Sequence, residues 1–477
     1  MTHALARARR RLSGRALILV VLAVVVAAAL VVVGREAWAR QAARPNVLLI
    51  VADDMRHDTL WAMPTVMELA GRGVSFSRAY VTTPLCCPSR ATILNGQYAR
   101  HHGVKANERP LGGVEAFDDR STLATWLQWA GVRTGLVGRH LNEYQSLTIP
   151  PGWDYWFAIM QQGESNSLYQ RYYVNNNGQD EFYGSRGMDY STRILGRRAL
   201  QMLAQDTQRP FMLMFTPRAP HAPALPDQRD AGSFRTVELP PLPPSFDEAD
   251  VADKPGPIRA LARLTDTDRE RIDAFRRRQL ETLVGLDREI AAIIEALRAD
   301  GRLDATWIIF TSDNGLTLGE HRLAQGKSCA YEECVRVPLV VVPPGGLAQG
   351  RTDDRLVANI DLAPTIAEIM RATPDGPVDG RSLLPLLQGR AVDWRDALVL
   401  EQWTNPLGEA FVAIRTPDRK YVRRENGEDE LYDWQADAFE LENRAHDPSR
   451  ADEKRQLSER LDALLQTPAG EQPPAQR

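Results

Sequence analysis

The sequence predicts an α/β fold: a large, mostly parallel, doubly wound sheet flanked by helices, followed by a small C-terminal antiparallel sheet with a helix. Three observations carry this. Three unbroken apolar runs, Asn46–Ala52, Phe211–Thr216 and Thr306–Thr311, have the continuous pattern of strands buried on both faces. Helical patterns lie between them. The clearest covers Leu280–Leu297, where Leu283, Leu286, Ile290, Ile293, Ile294 and Leu297 share one stripe and Gly301 supplies a stop. From about Asp393 the pattern changes to short strand-like segments separated by turn signals.

The chain of 477 residues suits one large domain plus a smaller one. Its 43% hydrophobic and 25% charged residues are ordinary globular proportions. A net charge of -4, with arginines scattered beyond the N-terminus, does not indicate nucleic acid as a partner. Four cysteines are too few for a disulfide scaffold. Cys329 and Cys334 are near enough in sequence to pair, or to remain as two thiols. Cys86-Cys87 lacks the spacing of zinc ligands.

The elements follow in order. Residues 1–15 are basic, with Arg7, Arg9, Arg10, Arg11 and Arg15, and the apolar segment 16–34 follows. No polar face interrupts the run Ala16–Val33, so it reads as an export signal rather than a core helix. Its length favours an uncleaved membrane anchor, while Ala37-Trp38-Ala39 offers a cleavage site for a signal peptide. The arginine excess places the main body of the chain outside the cell membrane, or secreted if cleavage occurs. Residues 44–392 form the main domain and 393–466 the small one. Gln161–Gly187 and Pro240–Pro257 are loop-rich excursions over the sheet edge that could shape a pocket. In the small domain Phe411–Arg415, Lys420–Arg423 and Glu430–Asp433 are strand-like and Asp452–Leu465 is helical. The tail, 467–477, reads as disordered.

Polar residues cluster where such a fold places its ligands, just beyond the carboxyl ends of strands. Asp53-Asp54 ends the first apolar run and Asp313-Asn314 the third, so residues far apart in sequence can meet in one crevice. Two unit charges 4 Å apart cost roughly 4 kcal/mol at an effective dielectric of 20. Clustered carboxylates therefore call for a divalent cation, and oxygen donors, including the Asn314 amide, favour calcium or magnesium. In Cys86-Cys87-Pro88-Ser89-Arg90-Ala91-Thr92-Ile93-Leu94-Asn95-Gly96, Pro88 opens a helix and Asn95-Gly96 ends it. Cys86 then lies at the positive end of a helix, a natural place for an anion, with Arg90 one turn in.

This segment is similar to the signature C-x-P-S-R of the formylglycine-dependent sulfatases, in the alkaline-phosphatase-like superfamily. The resemblance implies that Cys86 is oxidised to formylglycine (3-oxoalanine) by a formylglycine-generating enzyme. It implies a calcium site, with magnesium as the other candidate, held by Asp53, Asp54, residue 86, Asp313 and Asn314. It implies that His221, in Pro220-His221-Ala222-Pro223, protonates the leaving alcohol, and that Lys327, after Gly319-Glu320-His321-Arg322, binds sulfate oxygen. At Gly138-Arg139-His140-Leu141 the family's Gly-Lys-Trp-His is altered: Arg139 replaces the lysine, and His140 stands one place early. That stretch through Asn142 and Tyr144, with Cys86-Cys87 and Tyr190-Ser191-Thr192, resembles the glucosamine-6-sulfatase and extracellular heparan-type branch. Asp361-Leu362-Ala363-Pro364-Thr365 and Gly380-Arg381-Ser382-Leu383-Leu384 also match.

The resemblance therefore implies a hydrolase of sulfate esters, of sugars or aryl alcohols. Its hydrated aldehyde attacks sulfur, and its second hydroxyl later expels sulfate. Arg90, Lys327 and Arg139 stabilise charge on the sulfate oxygens. The alternative is a phosphodiester or phosphonate monoester hydrolase of the same superfamily, since sulfate and phosphate share tetrahedral geometry. A more distant one is a non-catalytic glycan-binding protein.

Overall fold

The computed structural model describes residues 44–161, 168–206, 208–403 and 410–471. The expected segments 1–15, 16–34 and 472–477 lie outside the described residues. Among the described residues no helix is long and apolar enough to cross a membrane.

The main sheet has ten strands. In chain order these are β1 (Asn46–Ala52), β2 (Val74–Phe76), β4 (Arg133–Arg139), β5 (Tyr155–Met160), β6 (Tyr172–Asn176), β7 (Gln179–Tyr183), β8 (Phe211–Thr216), β9 (Thr306–Ser312), β10 (Leu339–Val342) and β11 (Arg351–Asp353). β3 (Ala79–Tyr80) and β12 (Val357–Ala358) pair separately. The spatial order is β11-β2-β10-β9-β1-β8-β4-β5-β6-β7. The central strands β9, β1, β8, β4 and β5 are all parallel, while β10, β6 and β7 join antiparallel.

β1 shows why its sequence is apolar throughout. Val47, Leu49 and Val51 enter the core on one face of the sheet, and Leu48, Ile50 and Ala52 the core on the other. The first face is covered by the helices Cys86–Asn95, Leu123–Trp129 and Leu362–Ile369. The second is covered by Ser191–Ala204 and Asp266–Ala299. The stripe Leu283 to Leu297 lies on that second face as its period requires. The helix is longer than that stripe. It spans 34 residues and starts at a capping box between Thr265 and Asp268; its charged first turns precede Ile272 and Phe275, which are buried in a separate small cluster with Leu316 and Leu318.

Two expectations are refined. Within Gln161–Gly187, β6 and β7 form a hairpin around Asn177 (φ 50) and Gly178 (φ 88), the turn chemistry a tight hairpin needs. Its outer strand is an exposed polar edge without the apolar signal of the others. Pro240–Pro257 contains no strand but buries Asp247, Glu248 and Lys254. The second sheet is antiparallel, in the order β13 (Leu398–Gln402), β14 (Phe411–Arg415), β15 (Arg419–Arg424), β16 (Glu430–Asp433), and is backed by the helix Ala451–Leu465. The Gly470 N–H donates to Asp379, so the start of the 467–477 segment lies against the main domain. Cys329 and Cys334 form a disulfide.

Candidate active site

The strands β9, β1, β8 and β4 are adjacent and parallel, so their carboxyl ends open on one crevice. β9 delivers Asp313 and Asn314, and β1 delivers Asp53 and Asp54. β8 is followed by Arg218 and His221, and β4 ends in Arg139. β4 hugs β8 at Gly138 (φ 134), where a Cβ would stand 2.1 Å from the Thr216 carbonyl oxygen. Asp54 takes a left-handed conformation (φ 63), and its N–H donates to Asp313 Oδ1 at 3.0 Å. That turn aims two consecutive carboxylates into the same space.

Cys86 opens the helix Cys86–Asn95, with Leu85 extended before it, and Gly96 (φ 72) closes it. A side chain at position 96 would also press on Val378 at 2.9 Å, so glycine is doubly required. The thiol lies 3.8 Å from Asp53 Oδ1, 3.7 Å from Asp54 Oδ1 and 2.8 Å from Lys327 Nζ. Lys327 also donates to both Asp54 oxygens, at 2.8 and 3.1 Å. Arg90 spans Asp53 Oδ2 at 2.9 Å and Asp313 Oδ2 at 2.7 Å, and donates to the His140 carbonyl at 3.0 Å. Arg139 Nε is 3.9 Å from Asp53 Oδ2. His221 Nε2 is 3.4 Å from Asp54 Oδ2. The floor is closed, with Asp53 and Asp313 side chains at 1% and 0% exposure. His221 and Lys327, at 19% each, form the open side.

Charge pairing sets the protonation states. Burial works against ionisation of Asp53, yet Arg90, His221, Arg218 and Arg139 outweigh it and hold its carboxyl well below the usual range. Burial pushes Asp313 up to about 6, with Arg90 opposing and Asp53 and Asp54 adding to the rise. Burial pushes the Cys86 thiol up, and Asp54, Asp313 and Asp53 reinforce this against Lys327. The unmodified thiol therefore stays protonated, which makes it a poor nucleophile. Burial opposes the charge on Lys327, but Asp54 and its neighbours keep it cationic. Burial pulls His221 down to about 4, with Asp54 and Asp53 opposing. Burial, Arg218 and Arg90 pull Arg139 down to about 9.

A divalent cation fits this donor set. Ligand atoms of Asp53, Asp54, Cys86 and His221 lie within 4.8 Å of one another. Asn314 Oδ1 is buried with no hydrogen-bond partner among the described residues, while its amide nitrogen donates to Asp54 Oδ1 at 2.7 Å. Carboxylate and amide oxygens suit a hard cation such as calcium or magnesium.

The structure gathers every residue singled out from sequence: Asp53, Asp54, Cys86, Arg90, Arg139, His221, Asp313, Asn314 and Lys327. His140 contributes its carbonyl to Arg90, but its ring packs among Trp156 and Tyr144, with no hydrogen-bond partner among the described residues. Asn142 is buried, with its side-chain oxygen lacking a partner among the described residues. Sequence reasoning missed Arg218, whose Nη1 is 3.3 Å from Asp53 Oδ2. Its signal was present, as a cation two residues past a buried strand and three before His221.

A family model described as Sulfatase matches residues 45–372, and one described as N-sulphoglucosamine sulphohydrolase, C-terminal, matches residues 319–467. The chain is 33% identical to human N-acetylglucosamine-6-sulfatase, over 75% of this chain and 67% of that protein. It is also 33% identical to the extracellular sulfatase SULF-1 homolog of Drosophila melanogaster, over 77% of this chain. It spans 34% of that fly protein and 56% of a Caenorhabditis elegans relative. Among solved structures, a protein in complex with its substrate D-glucosamine-2-N,6-O-disulfate superposes with a TM-score of 0.78. The identity is 24%, over 88% of this chain and 97% of that one. A phosphonate monoester hydrolase from Silicibacter pomeroyi gives 0.71 at 25% identity, over 88% and 95%. With the Sulfatase family model matching more than half of the chain and the human relative 33% identical, the chain belongs to the sulfatases.

Proposed function

We propose that the chain hydrolyses sulfate esters of a sugar or aryl alcohol in this crevice, after Cys86 is converted to formylglycine. The observation that carries the reading is the placement of Cys86 Sγ between two strand-end carboxylates and Lys327, on a floor closed by Arg90. The formylglycine would supply a hydrated aldehyde, with one hydroxyl to attack sulfur and a second to expel sulfate by elimination. Calcium, held by Asp53, Asp54, Asp313 and Asn314, would lower the pKa of an oxygen nucleophile and neutralise ester oxygens.

The chain's own side chains do the rest. Asp313, raised towards neutrality, is placed to take a proton from the nucleophile. Arg90, Arg139 and Lys327 stabilise the charge spread over the sulfate oxygens. His221 is neutral in the free site, and a bound anion beside it favours its protonated form. Its Nε2 then gives a proton to the leaving oxygen.

A formylglycine-generating enzyme would be the maturation partner, and a sulfated glycan or small molecule the substrate. The names of the curated relatives support that substrate class. Export would follow from the basic segment and the apolar run at 16–34, and the extracellular relatives agree with it. Phosphonate or phosphodiester hydrolysis is the second reading, supported by the likeness to the Silicibacter pomeroyi hydrolase. The test is to co-express the chain with a formylglycine-generating enzyme and weigh the Cys86 peptide. The same sample is then assayed with an aryl sulfate and an aryl phosphonate. The aldehyde mass with faster sulfate release supports the proposal, whereas faster phosphonate cleavage sinks it in favour of the second reading.

A further inference from the structure

We infer that Arg218 is a positioning residue that couples the Asp53 carboxylate to the proton donor His221; this rests on the sulfate-ester reading above. Arg218 stands on the loop that leaves β8 and is 7% exposed. Its guanidinium forks. Nη1 approaches Asp53 Oδ2 at 3.3 Å, and Nη2 donates to the Ala222 carbonyl at 3.3 Å. That same carbonyl oxygen faces His221 Nδ1 at 2.7 Å. A carbonyl can only accept, so Nδ1 carries a hydrogen there, and the carbonyl fixes the ring's orientation.

The other ring nitrogen consequently faces the crevice, 3.4 Å from Asp54 Oδ2 and 3.5 Å from Lys327 Nζ. The backbone behind the ring is also tied down. The His221 N–H donates to the Arg218 carbonyl at 2.9 Å, and the Tyr169 hydroxyl donates to the His221 carbonyl at 2.8 Å and approaches the Arg218 carbonyl at 3.3 Å. Arg218 thus adds a side-chain link from the Asp53 carboxylate to the β8 loop, beside the backbone bond from the Asp53 N–H to the Ala219 carbonyl at 3.1 Å. A planar fork can hold two acceptors in fixed directions, which a lysine ammonium cannot do in the same way.

The consequence falls on one step. When the S–O bond to the leaving group breaks, its electron pair goes to the leaving oxygen. The proton on His221 Nε2 moves to that oxygen and leaves a neutral imidazole. A nitrophenolate departs without this proton, but a sugar alkoxide does not. Loss of Arg218 therefore harms poor leaving groups selectively. An arginine that simply gripped sulfate would harm all esters alike.

The test compares formylglycine-bearing, calcium-loaded wild type, Arg218→Ala and Arg218→Lys on 4-nitrophenyl sulfate and on glucosamine 6-sulfate. In Arg218→Ala, Asp53 still has Arg90 and Arg139 as countercharge. This variant is expected to lose about 100-fold more kcat/KM on the sugar ester than on the nitrophenyl ester. Arg218→Lys is expected to recover the nitrophenyl rate and not the sugar rate. Equal losses on both esters, or full recovery of both by lysine, would overturn the inference. A second readout does not depend on turnover. In protein labelled with 15N-histidine, and with His221→Gln as the assignment control, wild type is expected to show a single Nδ1–H form at His221 and Arg218→Ala a mixture. An unchanged His221 signal in Arg218→Ala overturns the coupling even if the wild type hydrolyses neither ester, a result that would remove the sulfate-ester reading on its own.

Discussion

One segment, Leu316–Arg336, serves two buried ionic clusters of opposite character. Lys327 points into the crevice, against Asp54 and Cys86. His321, Glu332 and Glu333 point instead to the junction with the second sheet. Both clusters bring potential metal-ligating atoms within 4.8 Å of one another: Asp53, Asp54, Cys86 and His221 in the first, His321, Glu333 and Glu440 in the second. The second cluster is shut off from solvent, although His321 Nε2 and Glu333 Oε2 have no hydrogen-bond partner among the described residues. Glu332 pairs with Arg415 at 3.2 Å and Lys420 at 3.4 Å, and Lys420 also pairs with Glu440. Glu248 lies between His321 Nδ1 at 2.6 Å and Lys254 at 3.1 Å, and both those side chains are at 0% exposure. The first cluster has an open side, formed by His221 and Lys327. The contrast teaches that buried charge alone does not mark a site. Chemistry belongs where charge is reachable. A closed network fixes how two parts of the chain dock.

Paired substitutions sharpen this contrast most. Cys86→Ala is expected to lower kcat by at least about 10⁴-fold while leaving the unfolding midpoint close to wild type. Lys420→Met leaves Glu440 and Glu332 short of a cation in the interior. It is expected to cost about 3–5 kcal/mol in denaturant unfolding. An active-site variant that unfolds, or a Lys420→Met protein of unchanged stability, would break the distinction.

Calcium separates the clusters less severely. A ligand at 100 times its Kd stabilises the folded state by about 2.7 kcal/mol. Wild type and Glu333→Gln are both expected to show a calcium-dependent rise in thermal midpoint that EDTA reverses, and Asp313→Ala is expected to show none. Retention of the shift in Asp313→Ala, with its loss in Glu333→Gln, would place the ion in the wrong cluster.

The crevice was legible in the sequence for a physical reason. A strand buried on both faces must be apolar throughout, so the first polar residues after it, Asp53-Asp54 and Asp313-Asn314, stand out and sit at the ligand edge. The Cys86 helix was legible because Pro88 falls in its first turn, two residues inside the observed start at Cys86, and Gly96 marks its end. β7 was not, since an exposed edge strand of Gln-Asp-Glu-Phe-Tyr carries no apolar period. The first half of the helix Asp266–Ala299 was hidden in the same way by its charged sequence. Arg218 was overlooked because one arginine in a loop gives no local pattern. Its meaning appears only once β8 lies beside β1. The second cluster is long-range throughout, since Glu248, His321, Lys420 and Glu440 come from four separate segments.

The gentlest probe of the comparison is pH. Burial and the neighbouring Glu320 push Glu333 up to about 7, while His321 and Arg56 oppose the rise. Its folded-state value therefore lies above that of the unfolded chain, where an ordinary glutamate titrates near 4.5. Between those two values the folded chain holds a proton that the unfolded chain has released, so stability falls as pH rises through the window. From pH 6 to pH 7 the loss amounts to about 1 kcal/mol for one such group. Glu333→Gln carries no titrating proton at that position and is expected to flatten this slope when unfolding free energy is measured across the range in calcium-saturated buffer. An identical slope in the variant would mean that Glu333 is already ionised within its network, and that the second cluster is more fully paired than its geometry implies.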